Sequence, residues 1–312
     1  MEATEPPFSA HAVASMNLQT DVGKATVKQV CEVFSLSRQA YYAAKRPTGD
    51  VVTAKLEPKA TPNEPAWASA ASVLAAILVI VESHAAWGVR KVWATLRRAP
   101  YNLLVSRKRV YALMKAHGLT LAPDAPRVVE QRRGQVAVEE PNRLWATDLT
   151  TVFTQQDGTV ALVPVIDCGC RSVLALEVTK SQEAPAVLAA VRHALAEQFG
   201  DVRGVPHGLD LRTDHGPQYT GSDCESLCTD WGITHSMAPV GRPTGNAVAE
   251  RLIRTTKEEC IWLRDWSSLA ELRDALIDWL SEYNERRLHQ SLHWSTPYER
   301  RAERLVEVRA AA

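Results

Sequence analysis

Residues 211–220 read LRTDHGPQYT, and the acid within this stretch, Asp214, sets the organisation of the chain. A short run of β-favouring residues precedes Asp214, and a similar run precedes Asp148 in residues 144–153, LWATDLTTVF. A third acid, Glu250, lies early in a predicted helix in the sequence GNAVAERLIRTTKEEC. Two acids at strand ends and one on a helix can converge at one edge of a sheet, where open α/β sheets bind their ligands.

Three carboxylates held together point to a bound cation. Without one they would repel each other and raise each other's pKa, so a cation is the simplest reason for a protein to tolerate them. Hard oxygen ligands select Mg²⁺ or Mn²⁺, and Mg²⁺ is usually held by one or two carboxylates, with waters and substrate phosphates completing its shell. The sequence therefore predicts a divalent-metal site formed by Asp148, Asp214 and Glu250.

The predicted helix of Glu250 also carries cations. Glu250, Arg254 and Lys257 are spaced over nearly two helical turns and share one face. A carboxylate and two cations on one stripe suit a metal ion beside a phosphodiester. Ordinary solvated pairs between neighbouring turns are the other interpretation of this pattern.

Three segments carry a family resemblance: TDHGPQYT from residue 213, THSMAPVGRPTGNAVAERLIRTTKEEC from residue 234, and LSEYNERRLHQSLHWSTPYE from residue 280. They closely resemble the catalytic part of bacterial insertion-sequence transposases of the second-reading-frame type. That family has a retroviral-integrase-like DDE catalytic core with an RNase H-like fold. The resemblance covers roughly residues 140–300 strongly and residues 25–125 more loosely.

The resemblance implies an α/β architecture, in which small all-α helix-turn-helix DNA-binding regions precede an RNase H-like mixed-sheet core. It places Asp148, Asp214 and Glu250 on the three catalytic, metal-binding acids, with two Mg²⁺ (or Mn²⁺) ions per active site. It places Lys257 near the substrate DNA, where Arg254 would help to position the phosphodiester. One departure is visible, because the family often has Asp-Asn where this chain has Gly245 followed by asparagine.

The implied function is that of a DDE transposase, which performs metal-dependent DNA strand cleavage and strand transfer at insertion-sequence ends. Two alternatives stay open: a catalytically silent, sequence-specific DNA-binding protein derived from a transposase, and an RNase H-like nuclease that hydrolyses without joining. The implied partners are element-end and target DNA and further copies of the chain on paired ends. The upstream-frame product, alone or as a fusion, is another implied partner, and the expected location is the bacterial cytoplasm, on the nucleoid when DNA is bound.

Charge is unevenly distributed along the 312 residues, although the formal net charge is zero. Residues 1–140 hold 18 basic and 12 acidic residues, a net charge of +6, and the remainder balances this with −6. Residues 85–133 hold 11 basic and 2 acidic residues. Such a local excess favours binding to a phosphate backbone.

The six cysteines lack zinc-finger spacing, so they are expected to be small buried hydrophobic residues. Cys168 and Cys170 alternate on a predicted strand, and Cys224 and Cys228 share a predicted helix face. The N-terminal zinc module of retroviral integrases is therefore not expected. Without a disulfide framework or a signal-peptide pattern, a reducing cytoplasm is the expected compartment.

Two helical pairs are predicted before the core. Residues 26–45 resemble a helix-turn-helix, with Arg38 near the start of the second helix, although small helical hairpins of other function look the same. Residues 88–119 form the second pair, whose cations would contact backbone phosphates or simply make a solvated face. These cations are Arg90, Lys91, Arg97, Arg98, Arg107, Lys108 and Arg109. Between the pairs, residues 65–81 carry no charge and favour a buried or partner-facing helix over a membrane span.

The predicted core is a mixed α/β arrangement. Its strands are expected at residues 143–153, 159–167, 172–179, 208–213 and 233–238, and its helices at residues 184–198 and 222–231. The expected domains are a flexible N-terminus (1–24), a helix-turn-helix-like segment with linker (25–64), a helical DNA-binding region (65–125), a linker (126–141), the catalytic core (142–265) and a C-terminal helical tail (266–312).

Predictions also follow for four smaller features of the sequence. The loop 239–246 is either a mobile flap over the site or a connector. Asp167 is expected to cap a turn rather than to bind metal, and the apolar stripe within residues 269–283 is expected to face the core. His289 and His293 stand four apart, but they belong to a tail that resembles a structural or DNA-facing segment of the family rather than a metal site.

Overall fold

The N-terminal part of the chain forms a separate small unit. This computed structural model describes residues 19–20, 23–24, 27–36, 41, 44, 67–122, 138–238 and 245–311. The chain divides into Met1–Glu64 and Pro65–Ala312. In the first unit, strands β1 (Gln19–Thr20) and β2 (Gly23–Lys24) pair antiparallel and precede helix α1 (Val27–Val33). Arg38 lies outside the described residues, so its predicted DNA contact stays a prediction.

Three helices begin the second unit and share a hydrophobic core. These are α2 (Ala70–Ser83), α3 (Val89–Leu96) and α4 (Arg107–Ala116). The Ser106 side chain accepts a hydrogen bond from the backbone N–H of Arg109 and so caps α4. The core residues are Val73, Ala76, Ile77, Ile80, Trp87, Val92, Leu96, Val105, Val110 and Met114.

The uncharged stretch became α2, whose inner face packs against α3 and α4. Val73 and Ile77 are fully buried, whereas Leu78 and Val79 on the outer face are about half exposed. The expected buried helix is therefore confirmed along one face. No helix among the described residues has both the length and the apolar character needed to cross a membrane.

A six-stranded mixed sheet follows. Its strands are β3 (Leu144–Thr147), β4 (Thr150–Thr154), β5 (Gly158–Asp167), β6 (Val173–Thr179), β7 (Asp210–Thr213) and β8 (Thr234–Met237). β5 pairs antiparallel with β3, β4 and β6, while β3, β7 and β8 run parallel. The order β6, β5, β3, β7, β8 confirms the expected RNase H-like core. The predicted strand 143–153 is divided in two, because the backbone leaves the sheet at Asp148.

Helices cover both faces of the sheet, so its central strand β5 is almost entirely buried. One face packs on α5 (Ala184–Phe199) and α7 (Ser222–Trp231), with the short helix α6 (Pro217–Thr220) between β7 and α7. The other face packs on α8 (Ala247–Glu259) and α9 (Leu269–Glu285). Leu272, Leu276, Trp279 and Tyr283 form the buried stripe of α9, which confirms its core-facing prediction.

The last helix, α10 (Pro297–Ala311), is joined to the sheet through Asp167. This carboxylate is fully buried and accepts hydrogen bonds from the backbone N–H groups of Asn142 and Gly169, at 2.7 and 2.8 Å. Its Oδ2 also pairs with Arg301 of α10 at 2.9 Å. Asp167 therefore closes the turn after β5, as predicted, and adds a buried ion pair.

Asp167→Ala should lower the free energy of unfolding by about 3–5 kcal/mol, because it leaves Arg301 without its buried partner and two backbone donors unsatisfied. Urea denaturation measures the loss. The matched control is Glu303→Ala, which removes an exposed carboxylate paired with Arg300 and should cost about 0.5 kcal/mol or less. Equal losses for the two variants would contradict this role of Asp167.

Candidate active site

Three acidic side chains lie on three neighbouring elements at one edge of the sheet. Asp148 directly follows β3, and Asp214 directly follows β7, the parallel neighbour of β3. Glu250 lies in the first turn of α8, which packs on the same region of the sheet. Asp148 and Asp214 are partly buried, and Glu250 is exposed. The side chains predicted from sequence are thus placed at a common edge.

Backbone N–H groups orient the two aspartates. Oδ1 of Asp148 accepts from the N–H of Leu149 at 2.8 Å, and Oδ1 of Asp214 accepts from the N–H of Gly216 at 3.0 Å. A Cβ at position 216 would lie 3.1 Å from Oδ1 of Asp214 and 2.8 Å from Oε1 of Gln218. The glycine therefore leaves the space that this carboxylate needs.

Asn246 ties the helix of Glu250 to the strand of Asp148. The asparagine is buried, and its Nδ2 donates to the carbonyl oxygen of Thr147 at 3.0 Å. The backbone carbonyl oxygen of Asn246 accepts a hydrogen bond from the N–H of Glu250 at 3.1 Å, in the first turn of α8. From sequence, this residue is recognisable only as part of the family motif. Its side chain makes no capping hydrogen bond to α8, so the local signal of an asparagine before a helix does not reveal its contact with Thr147.

The three acids are electrostatically coupled. Burial, followed by the charges of Asp214 and Glu250, raises the pKa of Asp148 to about 6, although the Leu149 N–H and the Lys257 charge act against the rise. Beneath the site, burial also raises the pKa of Tyr219, whose hydroxyl lies 3.5 Å from Oγ1 of Thr147. Negative charge at this edge is thus costly and is offset in part by one lysine.

The acids do not form a closed ligand set in this conformation. Within the part of the chain that the structure describes, no three His, Cys, Asp or Glu side chains are close enough together to hold a metal ion. Backbone N–H groups hold Oδ1 of both aspartates in this arrangement. The donor set, three carboxylates with hard oxygens, nevertheless fits Mg²⁺ or Mn²⁺.

Lys257 lies beside this site, two turns after Glu250. Its Nζ donates to Oγ1 of Thr150 at 2.6 Å, so it bridges α8 and the start of β4. Arg254, one turn earlier, pairs with Glu258 at 2.5 Å between the two side chains. Of the two cations predicted near the site, Lys257 lies beside it. Arg254 instead forms an ion pair within the helix, as the alternative interpretation expected.

Family models match three parts of the chain. Two models described as integrase core domains match residues 138–243 and 231–297, and one described as an HTH-like domain matches residues 69–126. The transposase for insertion sequence element IS629 of Shigella sonnei is 30% identical over 229 residues, which cover 70% of this chain and 74% of that protein. The chain belongs to the insertion-sequence transposases.

The chain is also similar to other proteins and to solved structures. A Mycobacterium tuberculosis protein named as the transposase of IS986/IS6110 is 32% identical to this transposase, covering 67% of this chain and 78% of that protein. Among solved structures, the catalytic core domain of HTLV-2 integrase is 21% identical with a TM-score of 0.36, covering 52% of this chain and 97% of that one. The core domain of BIV integrase is 22% identical with a TM-score of 0.38, covering 52% and 95%.

The HTH-like match places the helix-turn-helix region of the transposase on α2–α4, downstream of the hairpin suggested for residues 26–45. Arg107, Lys108 and Arg109 are exposed in the first turn of α4. Cations at a helix N-terminus oppose the helix macrodipole, so their presence favours a bound anion there. Their contact with DNA stays a prediction.

The cations of α3 are used differently. Arg90 donates to Oε1 of Gln290 at 3.2 Å, Arg97 stacks over Trp93 at 5.3 Å, and Arg98 pairs with Glu299. Lys91 pairs with Glu259 at the C-terminal end of α8. Arg90, Lys91 and Arg98 therefore join the HTH-like region to the integrase core, and these contacts leave less of them for DNA, whereas Arg97 stays exposed.

Glu259 is the centre of a buried ion cluster. Its carboxylate accepts two hydrogen bonds from the buried guanidinium of Arg287, at 2.8 and 2.9 Å, besides its pair with Lys91. Burial opposes its charge, but Arg287 and Lys91 outweigh that effect and hold the pKa of Glu259 below its usual range. Burial, with the charge of Arg287, lowers the pKa of Lys91 to about 8. Two cations therefore depend on one acid.

The cysteine and histidine predictions have mixed outcomes. All six cysteines are buried and free, as expected. Cys168 and Cys170 lie in the turn after β5, so their strand prediction was wrong; Asp167 already ends the strand by closing that turn. His289 is a structural residue, because burial lowers its pKa to about 2 and Arg287 lies 3.0 Å from its ring. Segment 239–244 lies outside the described residues, so its role as flap or connector is untested.

Asp148→Asn should stabilise the metal-free transposase by about 1–2 kcal/mol at pH 7.5, because it removes a charge whose pKa is raised to about 6. Since the folded pKa lies above the unfolded value of 3.8, the folded state binds the extra proton between these values. The gain should shrink as the pH falls through 6 and vanish below about pH 4. Urea titrations across this range measure it, with the exposed Asp278→Asn as control. A gain independent of pH would exclude this cause.

Glu259→Gln should destabilise the protein by about 3–5 kcal/mol, because Lys91 and Arg287 would face each other without their anion. Lys91→Met removes the surplus cation and keeps the Glu259–Arg287 pair, so it should cost less than about 1.5 kcal/mol. Thermal and urea unfolding at pH 7.5 compare the variants. A larger loss for Lys91→Met than for Glu259→Gln would show that the lysine, rather than the acid, holds the cluster together.

Proposed function

We propose that this chain is a DDE transposase that cleaves DNA at the ends of its element and joins those ends to target DNA. Asp148, Asp214 and Glu250 are the proposed catalytic acids. The supporting observation is their placement: two parallel neighbouring strands and the first turn of a packed helix bring all three to one edge. Both other acids influence the pKa of Asp148. Membership of the transposase family supplies the reaction class.

The same acids are the proposed ligands of Mg²⁺ or Mn²⁺, two ions per site. Each aspartate engages a backbone N–H through Oδ1, which leaves Oδ2 to face a cation. When bound, the ions would activate the attacking hydroxyl and stabilise the leaving oxygen of a phosphoryl transfer. Glu250 is exposed on α8 and therefore has room to turn toward the aspartates once their charge is neutralised.

The surrounding residues have positioning tasks. Lys257 lies close enough to Asp148 to affect its pKa, so it can hold a phosphate oxygen of the reacting strand beside the acids. Thr150 orients that lysine through their 2.6 Å hydrogen bond. Asn246 keeps the start of α8 fixed to β3, which sets the distance between Glu250 and Asp148. The exposed cations of α4 would contact the DNA backbone away from the reacting bond.

Two rivals give different products in the same assay. A silent DNA-binding protein shifts labelled element-end DNA but leaves it intact. A nuclease yields hydrolysed strands in Mg²⁺ without joined products. Joined strands are the outcome expected here, with further copies of the chain on paired ends, which light scattering of the protein–DNA complex would detect. Addition of the upstream-frame product tests whether specific end recognition requires it.

Asp148→Ala, Asp214→Ala and Glu250→Ala should each abolish cleavage and joining, a loss of at least about 10³-fold, while DNA binding stays within a few-fold of wild type. Gel assays of labelled ends in Mg²⁺ measure both products. Asp278→Ala, an exposed acid of α9, is the control and should keep full activity. Retained joining in any of the three variants would remove that residue from the proposed site.

A further inference from the structure

A groove beside the proposed active site has no assigned role. It has a volume of about 470 Å³ and lies between β4 and the turn that follows α8. Two aromatic side chains in its lining face solvent: Phe153 is 68% exposed and Trp262 is 66% exposed. Exposed aromatic residues that share one groove are a sign of a binding site, whereas single exposed apolar residues are common on protein surfaces.

The groove is continuous with the catalytic edge through Lys257. This lysine lines the groove, and it also donates to Thr150 and influences the pKa of Asp148. β4 leads away from the acids toward Phe153, five residues after Asp148, a span of roughly 16 Å along the strand. A molecule that enters the groove from the active site must therefore be extended and must pass the lysine.

The chemistry of the lining favours one kind of occupant. Lys257 and Arg264 supply two positive charges, of which that of Arg264 is paired with Glu271 at 3.5 Å, and Asp265 supplies one negative charge. Arg264 also stacks over Trp266, at 4.3 Å from its ring. Aromatic faces beside cations bind unpaired nucleotides without sequence preference. An amphipathic helix from a protein partner would need a continuous apolar stripe, which the charged residues and Thr151 interrupt.

We propose that this groove binds single-stranded DNA: the unpaired nucleotides next to the reacting phosphodiester, with bases stacked on Trp262 and Phe153. The inference rests on the proposed function, because the strand reaches the groove from the catalytic acids. It adds a subsite that holds frayed bases once the duplex end opens. Lys257 then contacts the phosphate between the reacting bond and the first stacked base.

The test uses the full-length chain and two DNA probes: a duplex with a short unpaired tail that carries a fluorescent base analogue, and a blunt duplex of the same sequence. Trp262→Leu and Phe153→Leu should each weaken binding of the tailed probe about 5-fold or more, the loss of one stacking contact. Both should leave blunt-duplex binding unchanged and reduce quenching of the base analogue. Tyr298→Leu, which replaces a half-exposed aromatic of α10 outside both the groove and the HTH-like region, should change none of these readings.

Thermal unfolding of each variant checks that its fold is intact, and the second aromatic variant serves if the first is unstable. Equal losses for tailed and blunt DNA, or no loss for either, would overturn the subsite. A fall in oligomer mass by light scattering, with DNA binding unchanged, would assign the groove to a second copy of the chain and also overturn it. If wild type binds the tail but joins no ends in Mg²⁺, the proposed function fails while the subsite stands.

Discussion

Like charges held at the ends of two parallel neighbouring strands are a constraint that shapes the whole catalytic unit. Asp148 and Asp214 follow β3 and β7 directly, so the sheet fixes their positions and neither can move away from the other without loss of strand pairing. Because Asp148 is also partly buried, its ionised form is destabilised, and its pKa rises to about 6. The ionised carboxylate that is destabilised in this way lies at the end of a strand in the sheet, whose two faces are covered by helices. Such a placement makes sense for residues that must meet a cation and a phosphate in a fixed geometry.

Helix α8 connects the parts of this unit. Just before its start, Asn246 donates to the carbonyl oxygen of Thr147; in its last turn, Lys257 donates to Thr150; and at its end, Glu259 pairs with Arg287 and Lys91. One helix therefore contacts the strand of Asp148, the C-terminal helices and the HTH-like region. The buried Glu259 cluster is the contact between α8 and that region. The same rigid element carries Glu250, the most exposed of the three acids.

The three acids and the strands of the sheet could be predicted from the sequence because the patterns that indicate them are local. The β-favouring runs before Asp148 and Asp214, and the helical spacing of Glu250 and Lys257, are visible in single segments. A strand end around Asp148 was predicted, but the residues that follow were not recognised as a separate strand, β4, because residues on both sides of Asp148 favour strand. The partners of Lys91 were missed for another reason: its ion pair with Glu259 joins residues 168 positions apart, and no local pattern encodes such a contact. A dense run of cations looks the same whether it faces phosphate or a buried carboxylate.

The edge strand β4 carries an exposed aromatic side chain close to the acids in sequence. A strand at the rim of a sheet exposes side chains that a central strand would bury, and Phe153 is exposed on it while its neighbour Val152 is buried in the core. Trp262, in the turn after α8, lines the same groove as Phe153 and Lys257, and Lys257 also donates to Thr150, two residues after Asp148. The surface therefore changes from the carboxylates of the acids, to the cation of Lys257, to the aromatic rings of the groove. A nucleic-acid strand presents the complementary groups, with a phosphate for the lysine and bases for the rings, and a duplex would have to open to offer both at once.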